Sequence, residues 1–148
     1  MGLDTRVMTV LMADDDADDR MLARDAWEET GPETDLQFVE DGEQLLDYLR
    51  NRGRYRDRLA APAPNIILLD LNMPKKDGRE ALREIKSDPL LKKIPVIVLT
   101  TSRAEEDVTN SYDLGVNSFI VKPARFESLV EVMRCLAEYW FGIVELPR

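Results

Sequence analysis

Five short apolar runs punctuate the chain, at residues 7–13, 35–39, 65–69, 95–99 and 118–121. Each is too short for an independent helix, and most are rich in β-branched residues or leucine, so each predicts a buried strand. The segments between them carry helical period instead. Phe126, Leu129, Val130, Met133, Leu136, Ala137 and Trp140 fall on one stripe. Ala81, Leu82 and Ile85 follow Gly78 in the same rhythm, and Leu45 and Leu49 follow Asp41, a side chain suited to an N-cap. Leu22 and Ala26 mark a helix behind the first strand, and Val108 and Tyr112 anchor one over residues 104–114.

Strand and helix thus alternate five times along the sequence. Such alternation predicts an α/β fold, a doubly wound five-stranded parallel sheet with helices on both faces. Near-continuous apolar strands fit a sheet covered on both sides. The longest connection, residues 51–64, ends in Pro62 and Pro64. Residues 1–148 are expected to form a single domain, with a core at 6–141 and a tail at 142–148 too short to be an attached output domain.

Composition narrows the chemistry. With no histidine, the chain has no Ser-His-Asp triad, no histidine base and no phosphohistidine of its own. A single cysteine, Cys135, allows no internal disulfide and fits a reducing, cytoplasmic setting. A formal net charge of −9 disfavours nucleic acid as a partner, because phosphate binding calls for a basic face. No run approaches the roughly 20 apolar residues of a membrane helix, so no membrane contact is expected.

Ligands of an open α/β sheet bind at the carboxyl ends of its strands. There the sequence places Asp14, Asp15 and Asp16 after the first strand, Asp70 and Asn72 after the third, Thr100 after the fourth, and Lys122 with Pro123 after the fifth. Crowded carboxylates repel unless a cation joins them, and oxygen-only donors suit a hard ion such as Mg²⁺. Each residue also has a plainer reading. Acidic residues before a helix serve as caps, Asp70 could be a turn residue, Thr100 could simply end a strand, and Lys122 could be an ordinary surface lysine.

The segments VLMADDDADD, IILLDLNMPKKDG, PVIVLTTS and NSFIVKP, in this order and spacing, resemble the signature blocks of response-regulator receiver domains, chemotaxis-regulator-like modules of two-component phosphorelays. The resemblance spans almost the whole chain. It implies a flavodoxin-like sheet of strand order 2-1-3-4-5. It also implies Asp70 as phosphoacceptor, Asp14 and Asp15 as the acidic pair, and Mg²⁺ held by Asp15, Asp70 and the Asn72 carbonyl. Thr100, Lys122 and Phe119 take the phosphoryl-binding and switch positions, and Pro74, Gly78 and Pro123 shape the loops. Many members carry tyrosine where Phe119 stands and asparagine where Asp16 stands, and the bond before Pro123 is commonly cis in the family.

Arg50, Arg52, Arg54, Arg56 and Arg58 alternate in an otherwise acidic protein, as a solvated loop or as a docking surface for an acidic partner. That loop, the LTTS block and the tail YWFGIVELP resemble stand-alone regulators paired with phytochrome-type histidine kinases. The resemblance implies a sensor histidine kinase or a histidine phosphotransfer protein as partner. It also implies a homodimer through the fourth and fifth helix face, with Tyr139, Trp140, Phe141 and Ile143 as apolar surface. Two other functions use the same residues: a phosphorylation-independent interaction module, and an aspartyl-phosphate phosphatase. The phosphatase needs a proton donor two residues after the nucleophile, where Asn72 stands.

Overall fold

A computed structural model describes residues 7–30 and 33–147. Its five strands are β1 (Met8–Ala13), β2 (Thr34–Val39), β3 (Ile66–Leu69), β4 (Val96–Thr100) and β5 (Ser118–Val121). All pair in parallel, in the order β2-β1-β3-β4-β5. Five helices connect or follow them: α1 (Ala17–Glu28), α2 (Gly42–Leu49), α3 (Gly78–Ser87), α4 (Glu105–Leu114) and α5 (Phe126–Ala137). Every expected strand lies within a residue of its predicted limits.

Strand side chains alternate between faces, and each face has its own apolar layer. Val10 and Met12 of β1, Ile66 and Leu68 of β3, and Ile97 and Leu99 of β4 pack with Ala23, Ala26 and Trp27 of α1 and with Val130, Met133 and Leu136 of α5. Leu11, Ala13, Ile67, Leu69, Val96 and Val98 face the other way, against α2 and α3. The stripe expected over α5 is the one that packs, and it continues through Trp140, Phe141, Val144 and Leu146. The last turn of this helix widens to π geometry over Glu138–Ile143, which turns Phe141 edge-on to Trp27 with ring centroids 6.0 Å apart.

Three expectations about packing need correction. Leu22 is exposed on α1, because Ala23, Ala26 and Trp27 form its inner face. On α4 the buried residues are Asp107 and Ser111, while Tyr112 is half exposed; Leu114, at its end, packs against the α2/α3 layer. Trp140 is buried and Phe141 is committed to Trp27, so only Tyr139 and Ile143 of the aromatic tail present open apolar surface.

Asp41 does cap α2, accepting from the Gln44 amide at 2.7 Å. The arginine-rich connection is mostly engaged within the chain. Arg50 pairs with Glu84 and Asp88, Arg52 pairs with Asp47, and Arg58 donates to the carbonyls of Leu49 and Ala61. Tyr48 reaches across to the Pro62 carbonyl at 2.8 Å, closing the loop against α2.

Candidate functional site

The parallel register brings the strand ends level. The Asp14 amide donates to Val39 O, the Asp70 amide to Ala13 O and the Lys122 amide to Thr100 O, at 3.0, 3.0 and 2.7 Å. Each bond extends a sheet ladder by one residue, so Asp14, Asp70, Thr100 and Lys122 stand along one rim. Their side chains then meet. Lys122 Nζ lies 2.5 Å from Asp14 Oδ2 and 3.1 Å from Asp70 Oδ2. The Thr100 hydroxyl donates to Asp70 Oδ1 at 2.9 Å, and the Asn72 amide donates to the same oxygen at 3.1 Å.

Asp14 and Thr100 are wholly buried, Asp70 nearly so, and Asp15 and Asn72 exposed. Burial pushes the Asp14 carboxyl above its ordinary range, against the opposing hydrogen bond from Lys122. Burial works against the Lys122 charge as well, but the hydrogen bond and charge of Asp14, the charge of Asp70 and the hydrogen bond to Asp19 outweigh it and raise its pKa. One ammonium thus serves several carboxylates.

Asp14, Asp15 and Asp70 each offer an oxygen within 4.8 Å of the others. An all-oxygen set of this charge fits a hard divalent cation, and the exposure of Asp15 and Asn72 leaves it open to water and phosphate oxygens.

Gly78, at the start of α3, has a packing role. A Cβ there would stand 2.2 Å from the Asp70 carbonyl oxygen and 2.7 Å from Leu71 Cα. The helix N-terminus can therefore lie against the backbone of Asp70, and the Gly78 amide donates to Leu71 O at 2.9 Å. Between them Pro74 is exposed and Lys75 takes a left-handed φ of 61°, where the loop reverses. The Lys122–Pro123 bond is trans, as are all peptide bonds of the described residues, unlike the cis bond common at this place in the family. Phe119 lies back from the rim: it pairs with Val98, is half-buried against the α2/α3 layer, and donates its amide to Tyr112 Oη at 3.2 Å.

Asp16 is the cap of α1, accepting from the amides of Asp18 and Asp19. Two further features were not anticipated. Asp19, in the first turn of α1, reaches Lys122 Nζ at 3.0 Å as its third carboxylate. Arg79 forks onto Asp107, with Nε and Nη2 each 2.7 Å from a carboxylate oxygen, and that hydrogen bond holds the Asp107 carboxyl down at about 2. The place of Asp19 in the first turn of the helix that follows the first strand was a usable signal; the partnership of Arg79 and Asp107, on separate helices, left none.

The sequence profile of the response regulator receiver domain matches residues 10–134. The response regulator Rcp1 of Synechocystis sp. is 40% identical over 138 residues, 93% of this chain and 92% of that protein. The crystal structure of the phosphorylated cyanobacterial phytochrome response regulator RcpA superposes with a TM-score of 0.89 at 41% identity, covering 97% of this chain and 100% of that one. The Mn²⁺-bound form of Rcp1 gives a TM-score of 0.87 at 39% identity, covering 95% and 99%. Among the described residues no helix is long and apolar enough to cross a membrane.

Proposed function

Because this chain belongs to the response regulator receiver domain family, we propose that it accepts a phosphoryl group from a histidine kinase onto Asp70 and switches a partner-binding surface in response. The observation that carries this reading is the convergence of Lys122 and the Thr100 hydroxyl on the two oxygens of one nearly buried carboxylate. Relatives described as a phosphorylated phytochrome response regulator and as an Mn²⁺-bound form support it; in this reading the partner is a sensor histidine kinase of phytochrome type or a histidine phosphotransfer protein. A cytoplasmic site of action belongs to the same reading.

An Asp70 oxygen attacks the phosphorus of a phosphohistidine. A P–O bond forms as the P–N bond breaks, and its electron pair returns to the donor imidazole nitrogen. Asp15, Asp70 and the Asn72 carbonyl would hold Mg²⁺, which supplies positive charge to the phosphoryl oxygens when bound. Lys122 moves its ammonium from the carboxylate to the new oxygens, and the Thr100 hydroxyl turns from Asp70 to donate to one of them.

Displacement of Thr100 moves the loop after β4 and the β5 face bearing Phe119. Taking such a switch from 1:99 to 99:1 requires about 5.5 kcal/mol. Two or three charge-assisted bonds, at roughly 1.5 to 3 kcal/mol each, are enough. Asn72 carries no acidic proton to give a leaving group, so the chain acts as phosphoacceptor, at most losing the group slowly to water, rather than as a phosphatase.

Labelling with acetyl phosphate in Mg²⁺ tests the reading: one phosphoryl group per chain, abolished by Asp70→Asn. Label that survives this substitution, or steady turnover of phosphomonoesters that depends on Asp70, would refute it. A homodimer through the α4–α5 face, with Tyr139 and Ile143 at its edge, belongs to the same proposal. Light scattering that finds only monomer at high micromolar concentration, with and without beryllofluoride, would remove that part.

A further inference from the structure

A closed ring of hydrogen bonds begins and ends at Asp70. Thr100 Oγ1 donates to Asp70 Oδ1, and the Ser102 amide donates to Thr100 Oγ1 at 3.4 Å. Ser102 Oγ donates to Asp107 Oδ2 at 2.6 Å, and Arg79 forks onto both oxygens of Asp107. Arg79 also reaches Asn72 Oδ1 at 3.4 Å from two nitrogens, and the Asn72 amide returns to Asp70 Oδ1. The ring thus joins the loop after β3 to the loop after β4, across the mouth of the site.

Arg79 is the member on which the ring depends. Its remaining reach goes to Asp77 Oδ2 at 3.0 Å and to the Leu71 carbonyl at 3.4 Å, both in the β3–α3 connection. The other side of the fork enters α4, whose first turn has no side-chain cap because Ala104 occupies the cap position. The entry of α4, and with it the loop carrying Ser102, is therefore held by Asp107 and hence by Arg79. A planar guanidinium presents two parallel donors to the carboxylate and a further edge to Asn72; an ammonium keeps the charge but has no such fork.

We propose that Arg79 is a positioning residue for phosphoryl transfer, locking the β3–α3 and β4–α4 loops into one preformed rim around Asp70. The proposal rests on Asp70 being the phosphoacceptor. Its basis is preorganisation: through Arg79 the ring ties Asn72 and Ser102 to Asp70 before a phosphoryl group arrives.

The test compares Arg79→Ala, Arg79→Lys, Asp107→Ala and the Arg79→Ala/Asp107→Ala pair in the full chain. With acetyl phosphate and saturating Mg²⁺, Arg79→Ala is expected to label about tenfold more slowly than the parent. Asp107→Ala should match it, and the double variant should be no slower than either single one. In metal-free protein, amide exchange should quicken in both loops, residues 72–76 and 101–104. Arg79→Lys should recover most of the thermal midpoint yet still label slowly, since charge returns without the fork. Labelling of Arg79→Ala within about twofold of the parent, faster exchange in one loop only, or full recovery of both properties by lysine would each overturn the proposal. A parent chain that takes no label would instead overturn the phosphoacceptor reading, while the exchange result still decides whether Arg79 locks the loops.

Discussion

The ammonium of Lys122 lies 3.1 Å from Asp70, the same carboxylate to which Thr100 donates from the other side. Together with its contacts to Asp14 and Asp19, this makes Lys122 the counter-charge for an acidic rim before any cation arrives.

Lys122→Met should therefore be costly in metal-free protein. Removing one partner of a buried ion pair strands the other, at about 3 to 5 kcal/mol. Mg²⁺ should return more stability to this variant than to the parent, since the carboxylates lose their competing cation. Urea unfolding in EDTA and in Mg²⁺ checks both parts, and an equal response to Mg²⁺ would contradict the shared counter-charge.

Asp14 responds in the opposite sense. Burial raises its folded-state pKa, so the folded protein binds that proton more tightly than the unfolded chain does. The stabilisation is present at low pH and is lost as pH rises from the ordinary value of 3.8 through the folded value. At neutral pH the ionised group is a burden, and Asp14→Asn should stabilise metal-free protein, because Lys122 keeps Asp19 and Asp70 as partners. The same variant should gain less from added Mg²⁺. Denaturant midpoints with and without the metal measure both effects.

Asp107 titrates with the usual sign for a paired carboxylate. Its hydrogen bond from Arg79 lowers its pKa from 3.8 to about 2, so the unfolded chain binds the proton more tightly. Its contribution is complete above the unfolded value and disappears as pH falls from about 4 to 2, a loss on the order of 1 to 2 kcal/mol. Unfolding curves across that window should be steeper in pH for the parent than for Asp107→Asn.

Gly78→Ala places a methyl carbon against the Asp70 carbonyl oxygen and Leu71 Cα, both main-chain atoms that cannot turn aside. A destabilisation of about 2 to 3 kcal/mol is expected, together with a displaced Asp70 that labels poorly. Gly142→Ala, where nothing stands within 4 Å, is the control; it should be neutral or slightly stabilising, by about 0.5 kcal/mol. Thermal melts of the two variants make the comparison.

The sheet and its rim were legible because they depend on short-range patterns. Apolar runs located β1, β3, β4 and β5, and the first polar residues past them, Asp14, Asp70 and Lys122, had to emerge at the same end of a parallel sheet. Asp41 announced itself as a cap by preceding Leu45 and Leu49. The rotation of helices was less accessible. α1 turns Ala23 and Trp27 inward and leaves Leu22 out, and α4 buries Asp107 rather than Tyr112. In both, the inner face is set by what lies across from it. Arg79 and Asp107 are 28 residues apart, and neither carries a local mark of the other. The trans bond before Pro123 departs from a family habit that the sequence alone could not test.

Trp140, Phe141, Val144 and Leu146 complete the layer over α1 and α5, yet all lie beyond residue 134, where the family match stops. A chain shortened to that point would leave the indole of Trp27 without its edge-on neighbour and open a greasy seam beside the first helix. The packed layer therefore extends past the last residue by which the family is recognised.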